Sequence, residues 1–476
     1  MARKPEFINL FLLVGALSGG CDPRDVLEGY SEVVLSGRYP GANYGSWLAP
    51  LHLSRGPGIA ITAPGDGTYG LPGVAFIQVL DQLPPLEGPR PRHGFTGLSL
   101  DATFAYGCDL DGDGLDELLL GTGEGQLAVF SGKEDPDQSE DLAAREPLQL
   151  LGTMTPEKVF SPAFGHALVC IGTAGEPKVL LIGDPDCSVE GVEGVGCVLI
   201  VPPELRGSAR LLELGAVAPR IHGPRDGRGF GASLALAGEE ENAILLIGAP
   251  EGGAGRGAVH VVSVASLSPD GHTWHGGGVE ALERQGLRGD PSDRAFGTRI
   301  VTLENLTLDD ESGDLIAISS PGEAESLGRV ALHRLLSNGN LEVRARTVIL
   351  GESPGDGFGT TLTVTTAIRE GRLQGQGNPP TLLIGAPDSS LFVPGGGLVY
   401  VLPSDLPIDR HPVPAVNGGR LLVGRAELGT SGAPTARRFG SGLACGAAWI
   451  AVGAPGARTA LGAATGAVHL FFPSVQ

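Results

Sequence analysis

One phrase recurs along the chain and restricts what it can fold into. Leu-Leu-Ile-Gly-Ala-Pro, intact or slightly altered, stands within 59–67 (IAITAPGDG), 118–125 (LLLGTGEG), 180–187 (LLIGDPDC), 245–253 (LLIGAPEGG), 316–324 (IAISSPGEA), 382–390 (LLIGAPDSS) and 450–458 (IAVGAPGAR). After each phrase come a Gly and a run of alternating character, such as GAVHVV, GLVYVL or GAVHLF. Before each comes an aromatic–glycine start: Tyr44-Gly45, Phe95 near Gly97, Phe164-Gly165, Phe230-Gly231, Phe296-Gly297, Phe358-Gly359 and Phe439-Gly440. A further apolar run, such as LQLLG or RTVILG, separates one unit from the next. The unit is therefore four short strands. The LLIG run is apolar on both faces, so that strand is covered on both sides. Pro ends it, because Pro cannot continue a central ladder, and Gly supports the turn or bulge into the third strand. A single sheet of this kind cannot bury both faces alone, so the units must stack side by side. Seven such units predict an all-β, seven-bladed β-propeller of four-stranded blades.

The two ends of the chain extend this reading. The chain finishes on a third-strand phrase, GAVHLFF, while SEVVLSG (31–37) near the start matches a fourth-strand run. The N-terminal strand is thus expected to complete the last blade, which hides two sheet edges. Composition agrees: 77 Gly, 37 Pro and few aromatics suit many short strands joined by turns. A formal charge of −21 argues against nucleic acid or anionic lipid as a partner.

The first residues have a different character. Arg3 and Lys4 precede FINLFLLVGAL, an apolar run too short to span a bilayer, and then SGGC. This resembles the signal and lipobox of bacterial lipoproteins, in which Cys21 is lipidated after cleavage. The usual Leu three residues before the Cys is here Ser18, so an ordinary cleaved signal peptide is the alternative. The expected layout is a signal peptide at 1–20, a linker at 21–30 and the propeller at 31–476. That places the protein outside the cytoplasm, secreted or held to a bacterial membrane only by a lipid anchor. Five cysteines then remain, an odd number. Cys187 and Cys197 flank an acidic Gly-rich loop that a disulfide would staple in an oxidising compartment. Cys108, Cys170 and Cys445 lie in apolar runs and read as buried small hydrophobes.

One turn carries chemistry. In DLDGDGLDELLLG (109–121), Asp109, Asp111 and Asp113 place a carboxylate on every second residue, with Gly114 at the sixth place. An EF-hand needs a bidentate Glu at its twelfth place and flanking helices. That place is Leu120, and both flanks read as strands. A shorter loop fits, with side-chain oxygens from Asp109, Asp111, Asp113 and Glu117 and the backbone carbonyl of Leu115. Hard oxygen donors of this number suit Ca²⁺. The corresponding turns elsewhere lack the alternating register, and the acidic turn Asp309–Asp314 reads as solvated.

Phe-Gly, then the acidic loop or LLIGAP, then Gly-x-Val-x-Val resembles the FG-GAP repeat of integrin α-subunit propellers over residues 31–476. The resemblance implies calcium loops between the first and second strands of selected blades. It also implies a role in adhesion or in recognition of a protein or glycan, and a recognition rim made of the turns after the Gly-Ala-Pro phrases and before the Phe-Gly starts. The long rim turn 386–397 carries Leu391, Phe392 and Val393, an apolar set that water disfavours.

Catalytic patterns are weak. GESPG (351–355) lacks the helix that a nucleophile elbow needs. His272 and His275 lie in a Gly-rich loop without a third ligand, and RGD (288–290) reads as chance in so Gly- and Arg-rich a chain. A monomeric binding module rather than an enzyme is the expectation. The alternative is a propeller-scaffold glycan hydrolase or lyase, which would need paired carboxylates or a His/Arg cluster at the channel mouth.

Overall fold

The computed structural model describes residues 30–37, 40–54, 56–65, 74–79, 93–94, 102–134, 148–155, 161–188, 191–203, 211–213, 218–225, 227–238, 243–267, 277–278, 283–291, 293–308, 311–321, 327–369, 372–373, 378–392, 394–402, 413–414, 420–422, 438–458 and 462–473. The signal segment with Cys21, the Phe95/Gly97 start, His272, His275, Asp309 and Val393 lie outside them.

The chain is an all-β propeller of four-stranded antiparallel blades. Six sheets follow one another along the chain. In the first, the main strands are Leu48–Leu53, Gly56–Ala63 and Val74–Val79. The second is built on Ala102–Cys108, Glu117–Thr122, Leu127–Glu134 and Leu148–Thr155. The third has Leu168–Ile171, Val179–Asp184, Cys197–Val201 and Arg220–His222. The fourth has Ser233–Ala237, Ile244–Ala249, Ala258–Ser263 and Glu283–Arg288. The fifth has Ile300–Leu308, Glu311–Ser320, Arg329–Arg334 and Thr347–Leu350. The sixth has Thr361–Thr365, Thr381–Ala386, Leu398–Leu402 and Arg420–Leu422. A further sheet joins the chain ends: Tyr30–Ser36 pairs antiparallel with Ala467–Pro473, beside Trp449–Ala454 and Gly442–Gly446.

The second strands are the phrase that repeats. Ile244–Ala249, Thr381–Ala386 and Trp449–Ala454 are buried at every position. The Phe-Gly aromatics fill the space beside them. Phe164, Phe230 and Phe358 are fully buried. Phe230, Phe296 and Phe439 stand edge-on to His260, His333 and His469, and Phe358 to Tyr400, all on third strands. Such aromatic contacts add to area burial by roughly 0.5–1.5 kcal/mol each. His260 Nδ1 meets Glu283 of its fourth strand at 2.7 Å, and His469 Nδ1 meets Glu32 at 2.6 Å. The same pair therefore recurs where the N-terminal strand serves as the fourth strand of the end sheet.

The repeated glycines have a cause that alternation and turn chemistry do not reveal. They are the points where neighbouring blades touch backbone to backbone. A Cβ on Gly183 would lie 2.0 Å from the carbonyl oxygen of Gly231, one on Gly248 2.2 Å from Gly297, and one on Gly385 2.4 Å from Gly440. Gly183, Gly248 and Gly385 are bare because the next blade's Phe-Gly lies against them, whereas Gly121 makes room for the ring of Phe104 in its own sheet, and Thr62 and Ser319 stand at this place in the first and fifth phrases. Gly453 of the end sheet meets the carbonyl of Gly45, ahead of the first sheet, in the same way at 2.0 Å. Overpacking of this kind costs about 1–3 kcal/mol or more. Gly453→Ala and Gly248→Ala are therefore expected to lower the urea midpoint by similar amounts. A neutral Gly453→Ala beside a costly Gly248→Ala would show that the end sheet does not meet the first as consecutive sheets meet.

Two features were not foreseen. Short segments add fifth, parallel edge strands: Leu211–Glu213 on the second sheet, Gly277–Gly278 on the third and Val413–Pro414 on the fifth. Each comes from the connection between the third and fourth strands of the following sheet, so it covers an outer edge that would otherwise be open to pairing. The second feature corrects the reading of Cys108 and Cys170 as separate buried thiols: they form a disulfide between the inner strands of the second and third sheets. Cys187 and Cys197 are disulfide-bonded across their loop, and Cys445 is free.

Candidate metal centre and recognition face

The acidic loop connects Ala102–Cys108 to Glu117–Thr122. Its shape follows from short side chains bonding back to the chain. Asp109 accepts from the Gly112 and Gly114 amides, Asp111 from Asp113, and Asp113 from Leu115. Gly112 and Gly114 have φ of 82° and 88°, which only Gly adopts without strain. Glu117 turns inward, is 3% exposed, and accepts from the Leu110 amide at 2.8 Å.

Asp109, Asp111 and Glu117 each offer an oxygen, all within 4.8 Å of one another. Burial, with the charges of Asp111 and Asp113 adding to it, holds the Glu117 carboxyl above its usual range. A buried carboxylate facing two others concentrates negative charge at one point, and an all-oxygen donor set of this density fits a hard divalent cation. Asp113 does not join them. Its Oδ2 lies 2.6 Å from Lys133 Nζ, and that hydrogen bond, together with the Lys133 charge, holds it below the usual carboxylate range. Lys133 also stands 3.7 Å from Asp111, and Lys178 3.8 Å from Asp109. The structure thus assembles three of the four predicted carboxylates and gives the fourth to a lysine. Leu115 enters through its amide, bonded to Asp113.

The loop is not confined to its own blade. The next residue, Asp116, exchanges hydrogen bonds with His52 of the first sheet, through its amide and its carboxylate. On the other side, the Lys178 amide donates to the Leu110 carbonyl, and Gly112 packs on the Glu176 backbone in the third sheet. The Cys108–Cys170 bridge lies one residue before Asp109. Three sheets therefore hold the site. Lys133 occupies the Asp113 and Asp111 oxygens that a cation would use. Lys133→Met is expected to raise calcium affinity several-fold in a calorimetric titration, and an unchanged or weaker affinity would show that Asp113 stays out of the coordination shell.

At the opposite ends of the strands, isolated parallel bridges join Gly196 to Phe230, Gly257 to Phe296, Gly397 to Phe439 and Gly466 to Tyr44. Each ties the turn after a Gly-Ala-Pro phrase to the next Phe-Gly start, so these turns share one face. Leu391 and Phe392 are 41% and 37% exposed there. Val192 and Leu327, in the equivalent turns of the third and fifth sheets, are exposed as well.

The remaining motifs have structural places. Asp290 of the RGD tripeptide pairs with Arg329 at 3.0 Å, and Arg329 also reaches Asp293 at 2.8 Å. GESPG forms turns and bends leading into the sixth sheet. Asp314 lies within a strand and accepts from the Gly238 amide. Among the described residues no helix is long and apolar enough to cross a membrane. No protein-family model matches the chain, and no curated protein matches it.

Proposed function

We propose that this chain is a calcium-stabilised, extracytoplasmic binding module, a closed seven-bladed propeller of the FG-GAP, integrin α-like kind. The end sheet is its seventh blade, and the contact of Gly453 with Gly45 supports closure. Calcium binds at Asp109, Asp111 and Glu117, with Asp113 released from Lys133 and the Leu115 carbonyl added. Cys21 carries lipid at the mature N-terminus, and mass spectrometry of the native terminus tests this; an unmodified terminus elsewhere would make the protein freely secreted.

A protein or glycan is recognised on the face of the Gly-Ala-Pro turns. The observation that carries this reading is that four of the six large apolar side chains exposed among the described residues, Val192, Leu327, Leu391 and Phe392, lie in those turns, while the other two, Leu336 and Val343, share a single connection in the fifth sheet. Long loops on a rigid closed scaffold are where binding resides, and function on such a fold belongs to the loops rather than to the fold. Capture from a native envelope extract or a glycan array tests it. Leu391→Ser/Phe392→Ser is expected to weaken capture about tenfold or more, as loss of a central apolar anchor does, without moving the melting curve. Capture lost only in variants around Asp109–Glu117 would place recognition on the opposite face.

A further inference from the structure

A cavity of about 290 Å³ opens on the same face, nearer the axis, between the third, fourth and fifth sheets. Its lining repeats one plan. His166, Ala232 and Thr298 each follow the glycine of a Phe-Gly start, while Asp186 and Glu251 each follow the proline of a Gly-Asp-Pro or Gly-Ala-Pro phrase. Arg299 completes it.

Among the described residues, three charges around this space have no partner of opposite sign. Arg299 makes no ion pair among the described residues; its guanidinium is held instead over the ring of Trp47, 5.3 Å from the centroid. Trp47 is fixed in turn against Tyr106, whose hydroxyl donates to the His166 carbonyl at 2.5 Å. Asp186 accepts only a long bond from the Ala163 amide, at 3.3 Å, and Glu251 caps no helix. The corresponding acid of the sixth sheet, Asp388, is paired with Arg438 at 3.1 Å. Unlike charges that line one cavity and stand too far apart to pair leave a gap between them. Burial, with Arg299 adding to it, pushes His166 down to about 4, so its imidazole is neutral at physiological pH and offers a hydrogen bond rather than a charge.

We propose that this cavity binds a small zwitterion, an amino acid or short peptide, with its carboxylate on Arg299 and its ammonium group between Asp186 and Glu251. The proposal rests on the reading that this face is the recognition face. Charge selects the class. An inorganic anion would face two carboxylates, a polyamine would face the guanidinium, and a neutral sugar would leave all three charges uncompensated. Arg presents a planar fork that matches a carboxylate, and stacking on Trp47 holds it ready. The volume, at the small end of ligand pockets (roughly 300 Å³ and above), suits a ligand of this size.

The test is calorimetric titration of the calcium-loaded full chain with a panel of amino acids and dipeptides, alongside acetate, ethylamine and glucose. At least one zwitterion is expected to bind one-to-one, with acetate and ethylamine about tenfold weaker or worse, since each leaves a charge unmatched. Arg299→Gln and Asp186→Asn/Glu251→Gln should each lower the affinity about tenfold or more, while Phe392→Ser leaves it unchanged. If Arg299→Gln does not fold, Ala232→Leu fills the cavity from another sheet and should abolish binding. No binding by any zwitterion overturns the inference, as does acetate binding as tightly as the best of them, or glucose binding that Arg299→Gln leaves intact. Loss of this binding alone, with Phe392→Ser still abolishing macromolecular capture, would overturn the cavity assignment and leave the outer-rim reading standing.

Discussion

A Cys108→Ala/Cys170→Ala variant is expected to lose about 4 kcal/mol of stability. The bridge closes a 62-residue segment, and the chain-entropy model gives roughly that figure for a loop of this length. Its position adds to the effect, since it joins the inner strands of the second and third sheets within one buried cluster. The loss is best read from urea denaturation. Unfolding entropy of roughly 2 cal/mol/K per residue means that a chain this long shifts its Tm by only about 1 °C per kcal/mol. The Cys187–Cys197 bridge closes 10 residues, so removing it should cost less, about 3 kcal/mol. A larger loss from Cys187→Ala/Cys197→Ala than from the Cys108 and Cys170 pair would show that the inter-sheet bridge constrains little. Because Cys108 adjoins Asp109, the first variant should also bind calcium more weakly and the second should not.

That bridge marks the limit of what the sequence discloses. Each blade's strands were legible because the second strand is covered on both faces and therefore reads as an unbroken apolar run, while Gly and Pro punctuate its ends. The acidic loop was legible because its carboxylates are two residues apart, and that is a local property. What was hidden depends on neighbours distant in sequence. Cys108 and Cys170 each sit in an apolar strand and become partners only when two inner strands are set side by side. Lys133 claims Asp113 from a strand that begins ten residues beyond the loop's last ligand, and nothing in the loop's spacing reports it. The phrase glycines were correctly placed but only partly explained, since the bareness of Gly183, Gly248 and Gly385 answers a carbonyl on the next blade. The cavity around Arg299 was missed for the same reason. Its residues come from three units, one or two positions past a glycine or proline that looked like punctuation. A search for the residue after each Phe-Gly and each Gly-Ala-Pro would have found most of them.

Calcium should stabilise the propeller through three sheets rather than one hairpin. At a free concentration 100 times its Kd, a cation bound only by the folded state adds about 2.7 kcal/mol, so unfolding free energies from urea denaturation with calcium and with chelator should differ by about that amount. The calcium dependence of the Asp111→Ala effect tells metal binding apart from a solvated acidic turn. Asp111 is exposed, and its charge raises the cost of ionising the buried Glu117. Without metal, then, alanine at this place relieves repulsion but gives up the bond from the Asp113 amide and the Lys133 contact, and is expected to be close to neutral. With calcium it removes a ligand, and the variant should lose the whole calcium-dependent gain. Hydrogen exchange locates the effect. The loop is bonded to His52 on one side and to Lys178 on the other, so calcium should slow exchange in the inner strands Leu48–Leu53 and Leu168–Ile171 as well as in Ala102–Cys108. Slowing confined to 109–117 would reduce the ion to a local turn stabiliser, and identical midpoints with calcium and chelator would remove the metal site altogether.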